Sequence, residues 1–212
     1  MATHALIIFD IDGTLLETDL VTVPAVQRTY AAYGLAAPDA AAICATFGRP
    51  VEEYIAWLAS LCPPGRADEI IAATNRLELE LVGTEGRLYA GVLEMLDTLK
   101  GQGHVLAICS NGPDDYVNAF LDAHDVRRFF DIVRTRGTKY EGKISMIREI
   151  LTLTPARPAI VVGDRADDIE AAHTNAALAV AACYGFGNAK EWEQADACIT
   201  RPDEVAPLIE RL

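Results

Sequence analysis

The chain has 212 residues, 51% of them apolar, and a formal net charge of −13. This length and apolar content allow one domain, or one domain with a sizeable insertion, around a buried core, and they exclude a disordered chain. The negative charge disfavours nucleic acid or an anionic membrane as a partner, because both would repel the protein. A small anion can still bind where a metal ion or a few cations are concentrated in one pocket.

The N-terminus and the cysteines predict a cytoplasmic protein. Only a short apolar run precedes Asp10, which is too short for a signal peptide. No stretch approaches the ~20 apolar residues that a membrane-spanning helix needs. The five cysteines form no Cys-x-x-Cys pair, which is typical of reduced, mostly buried thiols. Nothing in the sequence indicates an oligomeric state.

Short apolar runs recur along the chain, and each ends in a polar or glycine-rich turn. Such near-continuous apolar strands are typical of a parallel sheet that is covered on both faces. Helical patterns lie between them, at 92–100, 144–151 and 167–173. Strands that alternate with helices predict a doubly wound α/β core. The predicted strands cover residues 5–10, 104–112, 131–135, 159–164, 178–183 and 197–200.

Residues from about 19 to 82 break this alternation. Their apolar residues recur with a spacing near 3.6, no convincing strand is present, and prolines and glycines punctuate the segment. We therefore predict an all-helical insertion after the first strand. The predicted core domain comprises residues 1–17 and 84–212, and the helical cap domain comprises residues 18–83.

The first candidate motif, "FDIDGTL" at 9–15, follows the first predicted strand. Asp10 and Asp12 are two residues apart, so they point to the same side of an extended chain. One carboxylate can attack phosphorus, and the other, close to a like charge, can act as general acid and base. Gly13 permits a tight turn whose amides face a phosphate. An ordinary Asp-Gly turn is the alternative.

The second motif, "CSNG" at 109–112, ends the second predicted strand. The hydroxyl of Ser110 and the following amides can hold a phosphoryl oxygen. A strand-to-helix turn with Ser110 or Asn111 as the cap is the alternative. A serine hydrolase is excluded, because the stretch is not Gly-x-Ser-x-Gly.

The third motif, "GTKYEGKIS" at 137–145, resembles a P-loop, except that Ile144 stands where a P-loop needs the hydroxyl that binds Mg²⁺. Lys143 begins a predicted helix, where the helix dipole disfavours a cation. A bound anion would remove that penalty, although a solvated lysine is an equally simple interpretation.

The fourth motif, "VVGDRADDIEAA" at 161–172, has one acid at a strand end and two at a helix start. Carboxylate oxygens that cluster near Asp10 are the ligands that Mg²⁺ prefers. The dipole alone also favours Asp167 and Asp168 at a helix N-terminus, so the motif by itself leaves both explanations open.

Together, and in this order, the four motifs resemble the haloacid dehalogenase-like hydrolase superfamily, most closely its phosphoglycolate-phosphatase-like members. The resemblance covers nearly the whole chain, including "AACYGFG" at 181–187 and "ADACITRPDEV" at 195–205. The helical insertion is similar to the family's small cap. The resemblance implies a phosphatase that acts on a small phosphorylated metabolite with Mg²⁺ as cofactor.

The resemblance also implies a role for each motif residue. Asp10 would be the nucleophile, and Asp12 would protonate the leaving oxygen and then activate water. Lys143 would bind the phosphoryl group and hold Asp10 in line. The implied phosphate-binding set is Gly13, Thr14, Ser110, Asn111, Gly112 and Lys143, and the implied metal ligands are Asp10, Asp12 (through its carbonyl), Asp164 and Asp168.

Two alternatives of the same fold stay open: a sugar phosphomutase and a non-catalytic module that binds a phospho-ligand. Dehalogenation is disfavoured because relatives with that activity lack the second aspartate, which is Asp12 here. Phosphonate hydrolysis through a Schiff base needs a cap lysine, and the first lysine of the chain is Lys100. Arg49, in "FGRP", is our candidate for a cap residue that pairs with an acidic or hydroxylated substrate, and a solvated loop arginine is its alternative.

Overall fold

The computed structural model describes residues 4–137 and 142–211. Its centre is a six-stranded, fully parallel sheet in the order β3-β2-β1-β4-β5-β6. The predicted fold class is therefore confirmed, and each predicted strand is present. The strands are β1 Leu6–Phe9, β2 Val105–Ser110, β3 Ile132–Thr135, β4 Ala159–Gly163, β5 Leu178–Ala182 and β6 Ala197–Ile199.

Helices connect the strands, and five of those in the described residues, α1 to α5, precede β2. The patterns at 92–100, 144–151 and 167–173 correspond to α5, α7 and α8, with ends one or two residues away from those predicted. The helices are α1 Asp19–Ala32, α2 Ala40–Cys44, α3 Val51–Ser60, α4 Ala67–Thr84, α5 Val92–Gly101, α6 Asp114–Ala123, α7 Lys143–Leu153, α8 Ala166–Thr174, α9 Ala189–Trp192 and α10 Val205–Ile209.

The sheet is buried between two helical layers, which explains its continuous apolar sequence. Ile7 and Phe9 of β1 belong to a cluster that includes α5 and α6. Leu6 and Ile8, on the opposite face, pack with α7 and α8. Successive residues of a strand point to opposite faces, so every position of a doubly covered strand is apolar.

The segment between β1 and β2 is helical, and the described residues 19–84 contain no strand. Tyr30 is the largest side chain of a separate apolar cluster, and its hydroxyl donates to the carbonyl of Leu58 at 2.9 Å. Val21 of α1 and Leu81 of α4 belong instead to the cluster against the sheet. Helices α1 and α4 thus join the insertion to the core. That residues 18–83 form a domain of their own stays a prediction.

Within the described part of the chain, no helix has both the length and the apolar character required to cross a bilayer.

Candidate active site

The described residues of the four candidate motifs meet at the carboxyl edge of the sheet; residues 138–141 of the third motif lie outside the described part of the chain. Strand β1 lies between β2 and β4, and Phe9 is level with Ile108 on one side and Val162 on the other. In a doubly wound sheet of this order, ligands bind where the strand order reverses, which is at β1 and β4. Asp10 and Asp164 follow directly on these two strands.

Lys143 lies at the centre of the carboxylates. Its Nζ donates to Oδ1 of Asp168 at 2.7 Å and lies 3.0 Å from Oδ2 of Asp10, and its side chain is 1% exposed. Oδ2 of Asp167 is 3.5 Å away. Lys143 begins α7, and Asp168 lies in the first turn of α8, where its Oδ2 accepts the backbone N–H of Arg165. One buried ammonium group therefore contacts three carboxylates.

Asp12 has different surroundings from Asp10, although only one residue separates them. Its Oδ1 accepts hydrogen bonds from the hydroxyls of Thr18, at 2.7 Å, and Tyr116, at 2.8 Å. These two donors fix the carboxyl group on the side of the site that faces α6. Burial raises the pKa of Asp12, and the two hydroxyls oppose this rise.

Gly13 brings the turn after β1 against Asp164. Its φ is +74°, and a Cβ at this position would overlap Oδ2 of Asp164 and come within 2.8 Å of the Phe186 ring. No other residue type fits this backbone and this space without a shift. Oδ2 of Asp164 accepts the backbone N–H of Phe186 at 2.6 Å. Thr14, the next residue, is buried and its Oγ1 has no hydrogen-bond partner among the described residues.

The end of β2 and the turn after it carry Ser110, Asn111 and Gly112, as the sequence predicts. The side chain of Asn111 also contacts the helical insertion. Oγ of Ser110 accepts the N–H of Gly112 at 3.0 Å, and the residue is fully buried. Nδ2 of Asn111 donates to Oδ2 of Asp167 at 2.9 Å and to the carbonyl of Gly48 in the insertion at 3.1 Å. Asn111 therefore links the core to the helical insertion at the site.

Burial and repulsion make the carboxylates unusually basic. Burial raises the pKa of Asp10 to about 7; Lys143 opposes the rise, and Asp12 and Asp164 add to it. Burial, with repulsion from Asp168, also raises the pKa of Asp164 to about 7. Burial favours the neutral form of Lys143, yet the charges of Asp10, Asp167 and Asp168 outweigh it, so its pKa lies well above the usual value.

These carboxylates fit a divalent cation. Asp10, Asp164 and Asp168 each offer an oxygen, and the three oxygens lie within 4.8 Å of one another. Oδ1 of Asp164 is buried and has no hydrogen-bond partner among the described residues. Buried charged oxygens that lack a partner are costly, and hard carboxylate oxygens are the ligands that Mg²⁺ prefers. The side chain of Asp12 is turned away from this cluster toward Thr18 and Tyr116, so only its backbone could join.

Two neighbouring cavities open beside the carboxylates, and Arg49 lines both. One, of about 310 Å³, lies between the insertion and the turns that carry Asp12 and Asn111. The other, of about 510 Å³, is lined by Lys143 and Asp167. Arg49 is exposed, and no ion pair joins it to another described residue. Its location next to both cavities is compatible with the role expected for it.

The sequence did not indicate Thr18, Tyr116 or Glu78. Thr18 lies in the link to α1, and Tyr116 is 104 residues from its partner Asp12. Tyr116 occupies a core-facing position of α6 and looks like an ordinary apolar residue in the sequence. Glu78 lines the smaller cavity from α4. Of these three residues, only Thr18 could have been suspected from the sequence, because it lies shortly after the "FDIDGTL" motif.

Comparison with known proteins gives a consistent result. A family model described as haloacid dehalogenase-like hydrolase matches residues 7–182. The chain is 29% identical over 191 residues to a phosphoglycolate phosphatase of Agrobacterium fabrum, covering 85% of this chain and 81% of the relative. It is 27% identical over 192 residues to a 5'-nucleotidase of Pseudomonas aeruginosa, covering 87% and 85%.

Among solved structures, a phosphoglycolate phosphatase assigned by prediction from Haemophilus somnus superposes with a TM-score of 0.88. The match covers 99% of each chain at 21% sequence identity. At this identity the likeness bears on the fold alone.

Proposed function

The chain belongs to the haloacid dehalogenase-like hydrolase family and is a phosphatase; from this we propose that it is a Mg²⁺-dependent phosphomonoester hydrolase that works through an aspartyl-phosphate intermediate. Its substrate would be a small phosphorylated metabolite, and the enzyme would be phosphoglycolate phosphatase-like in its fold and in its catalytic residues. The helical insertion would act as the cap that closes the substrate pocket.

The observation that carries this proposal is the contrast between Asp10 and Asp12. Asp10 is paired with the ammonium group of Lys143 at 3.0 Å, whereas Asp12 is held by two neutral hydroxyls. Two nearby carboxylates in unlike surroundings can take the roles of nucleophile and proton donor. Lys143 lowers the pKa of Asp10 against the rise that burial causes, whereas Asp12, whose pKa burial also raises, contacts no ammonium group among the described residues.

In the first step, a carboxylate oxygen of Asp10 attacks phosphorus and the bond between phosphorus and the ester oxygen breaks. Asp12 gives its proton to the departing oxygen. In the second step, Asp12 takes a proton from water, the water oxygen attacks phosphorus, and the carboxylate of Asp10 departs with release of phosphate. Microscopic reversibility requires the same group to act first as acid and then as base.

The residues around Asp10 supply the positive charge and the hydrogen bonds that this reaction needs. Attack by a carboxylate on an anionic phosphate is opposed by repulsion, which Lys143 reduces. Ser110 and the turns at 13–14 and 111–112 would hold the phosphoryl oxygens. The N–H groups of Gly13, Thr14 and Gly112 donate to Leu16, Ile11 and Ser110 in this structure and would exchange these partners for phosphate. Asp10, Asp164 and Asp168, with the Asp12 carbonyl, would hold Mg²⁺, which supplies further neutralisation of charge when bound.

Release of inorganic phosphate from a panel of phosphomonoesters, with and without Mg²⁺, tests the proposal. We expect Mg²⁺-dependent release, its loss in Asp10→Asn, and its retention in Asp97→Asn, which changes an exposed acid of α5.

Arg49→Ala should raise KM for the preferred ester, because the lost guanidinium contacts the substrate; an unchanged KM would exclude that role. No release from any ester would favour the phosphomutase or the non-catalytic binding module.

A further inference from the structure

The charged side chains that line the smaller cavity are mostly acidic, so this cavity does not suit every phosphomonoester. Its volume is about 310 Å³, and it extends from Asp12 to the inner faces of α3 and α4. Among the described residues, the acids Asp12, Glu78 and Asp115 line it, against one cation, Arg49. Lys143 lines the neighbouring cavity, where its positive charge is available to the phosphoryl group. The smaller cavity, beside Asp12, has little positive charge among its described residues.

The catalytic chemistry uses neither Glu78 nor Asp115 of this cavity; Asp115 is exposed, and Glu78 is half-buried. The Oε1 atom of Glu78 accepts a hydrogen bond from the hydroxyl of Tyr54 at 3.1 Å, and the hydroxyl of Thr22 also lowers the pKa of the carboxyl group. Burial raises the pKa of Glu78 to about 7, the two hydroxyls oppose the rise, and the charge of Asp12 adds to it. Glu78 thus accepts a hydrogen bond from a neutral hydroxyl, and no cation is paired to it among the described residues.

The rest of the wall near Glu78 is largely apolar. Phe47, Val51, Ile55 and Leu79 line the same space. A carboxylate has more acceptor sites than the one that Tyr54 occupies, so Glu78 can accept a further hydrogen bond from a ligand that brings a donor into this space. A second carboxylate placed here would meet repulsion from ionised Glu78.

We propose that Glu78 is a specificity residue that selects phosphomonoesters whose alcohol portion carries a hydroxyl or an ammonium group and discriminates against those that carry a carboxylate. This inference rests on the proposed phosphatase function and narrows its substrate class. The phosphoryl group binds at Asp10 and Lys143, the departing alcohol lies beside Asp12, and its far end donates to Glu78. Of the two kinds of substrate considered for Arg49, a hydroxylated substrate fits this arrangement and an acidic substrate does not.

Three esters of nearly equal size test the inference: 2-hydroxyethyl phosphate, 2-aminoethyl phosphate and 2-phosphoglycolate. They place a hydroxyl, an ammonium and a carboxylate at the same distance from phosphorus. For the wild-type enzyme we expect kcat/KM to be lowest for 2-phosphoglycolate. Glu78→Gln keeps the shape and a hydrogen-bonding group while it removes the charge. It should lower the ratio of kcat/KM for the 2-aminoethyl ester to that for 2-phosphoglycolate by about tenfold or more.

Glu80→Gln is the matched control, because Glu80 is an exposed acid two residues along the same helix. It should leave all three ratios unchanged. A wild-type enzyme that prefers 2-phosphoglycolate, or a Glu78→Gln variant with unchanged ratios, would overturn the inference. Turnover of 4-nitrophenyl phosphate separates a failure of this inference from a failure of the proposed function. If the protein is not a Mg²⁺-dependent phosphatase, release from this ester is absent; if only the role of Glu78 is wrong, release from this ester is retained.

Discussion

At the scale of single residues, Lys143 balances the charge of the site. It is buried within 3.0 Å of Asp10 and 2.7 Å of Asp168, with Asp167 slightly farther away. An ion pair of this kind gives weak net stabilisation when intact, but loss of one partner leaves the other charges buried without compensation. Lys143 is therefore expected to affect both catalysis and stability.

Lys143→Met should lower kcat by at least about a hundredfold, because it removes the cation beside the attacking carboxylate. It should also lower the free energy of unfolding by ~3 kcal/mol at neutral pH without metal. Phosphate release and denaturant unfolding measure the two effects. Lys100→Met, which breaks an exposed pair with Asp131, should cost less than about 1 kcal/mol and leave kcat unchanged. Equal effects of both substitutions would contradict this role.

The raised pKa of Asp164 predicts how stability depends on pH. The group titrates at its usual 3.8 in the unfolded chain and at about 7 in the folded protein. Between these values the folded protein keeps a proton that the unfolded chain has lost, so the free energy of unfolding falls as pH rises through this window. Asp10 contributes with the same sign.

Asp164→Asn removes one such group and keeps an oxygen that can accept the N–H of Phe186. Without metal and above about pH 7, we expect Tm to exceed that of the wild type by at least about 2 °C, since ~1 kcal/mol corresponds to 2–4 °C at this size. Added Mg²⁺ should raise Tm less than in the wild type. Thermal unfolding across pH, with and without Mg²⁺, measures both effects. Identical pH profiles would contradict the assignment.

At the scale of elements, short contacts between strand ends and helix starts set the positions of the acids. Gly163 ends β4, and a Cβ there would lie 2.5 Å from Cβ of Asp168 and would overlap its carboxyl group. The absence of a side chain at Gly163 therefore lets the first turn of α8 approach β4 and brings Asp168 to Lys143.

Gly163→Ala should displace Asp168 and lower kcat about a hundredfold, the order of loss that a misplacement near 1 Å can cause. Far-ultraviolet circular dichroism should show that the fold is retained, and phosphate release reports the activity. Gly101→Ala is the control, because a Cβ at the end of α5 would meet no atom within 4 Å. Wild-type activity in Gly163→Ala would show that the position of Asp168 is unimportant.

Elements also determine what a sequence alone can predict. The strand ends with Asp10, Ser110 and Asp164 were predictable, because buried parallel strands are continuous apolar runs that a polar residue terminates. The contact of Tyr116 with Asp12 was not predictable, since it depends on how α6 packs against the turn after β1. Glu78 lies on an amphipathic helix, where an acid usually faces solvent; only the packing of α3 against α4 places it in a cavity.

At the scale of the whole molecule, an acidic protein concentrates its few cations where an anion would bind. The net charge is −13, yet Arg49, Lys143 and Arg165 line a single cavity at the sheet edge. The parallel order of the strands brings this cavity and the carboxylates together, because β1, β2 and β4 all end there. The parallel sheet and the location of the site at its edge follow from the alternation of strands and helices, whereas the strand order and the cavity shapes depend on tertiary packing.

In the proposed mechanism a phosphoryl group is transferred from the ester to Asp10 and is then released as phosphate with the help of Asp12. Asp12→Asn with 4-nitrophenyl phosphate tests it most directly, since this leaving group departs without a proton but water is no longer activated. After an acid quench, peptide mapping by mass spectrometry should find a phosphoryl group on Asp10 that accumulates beyond the wild-type level. A phosphoryl group on another residue, or none on Asp10 while the wild type releases phosphate, would contradict the mechanism.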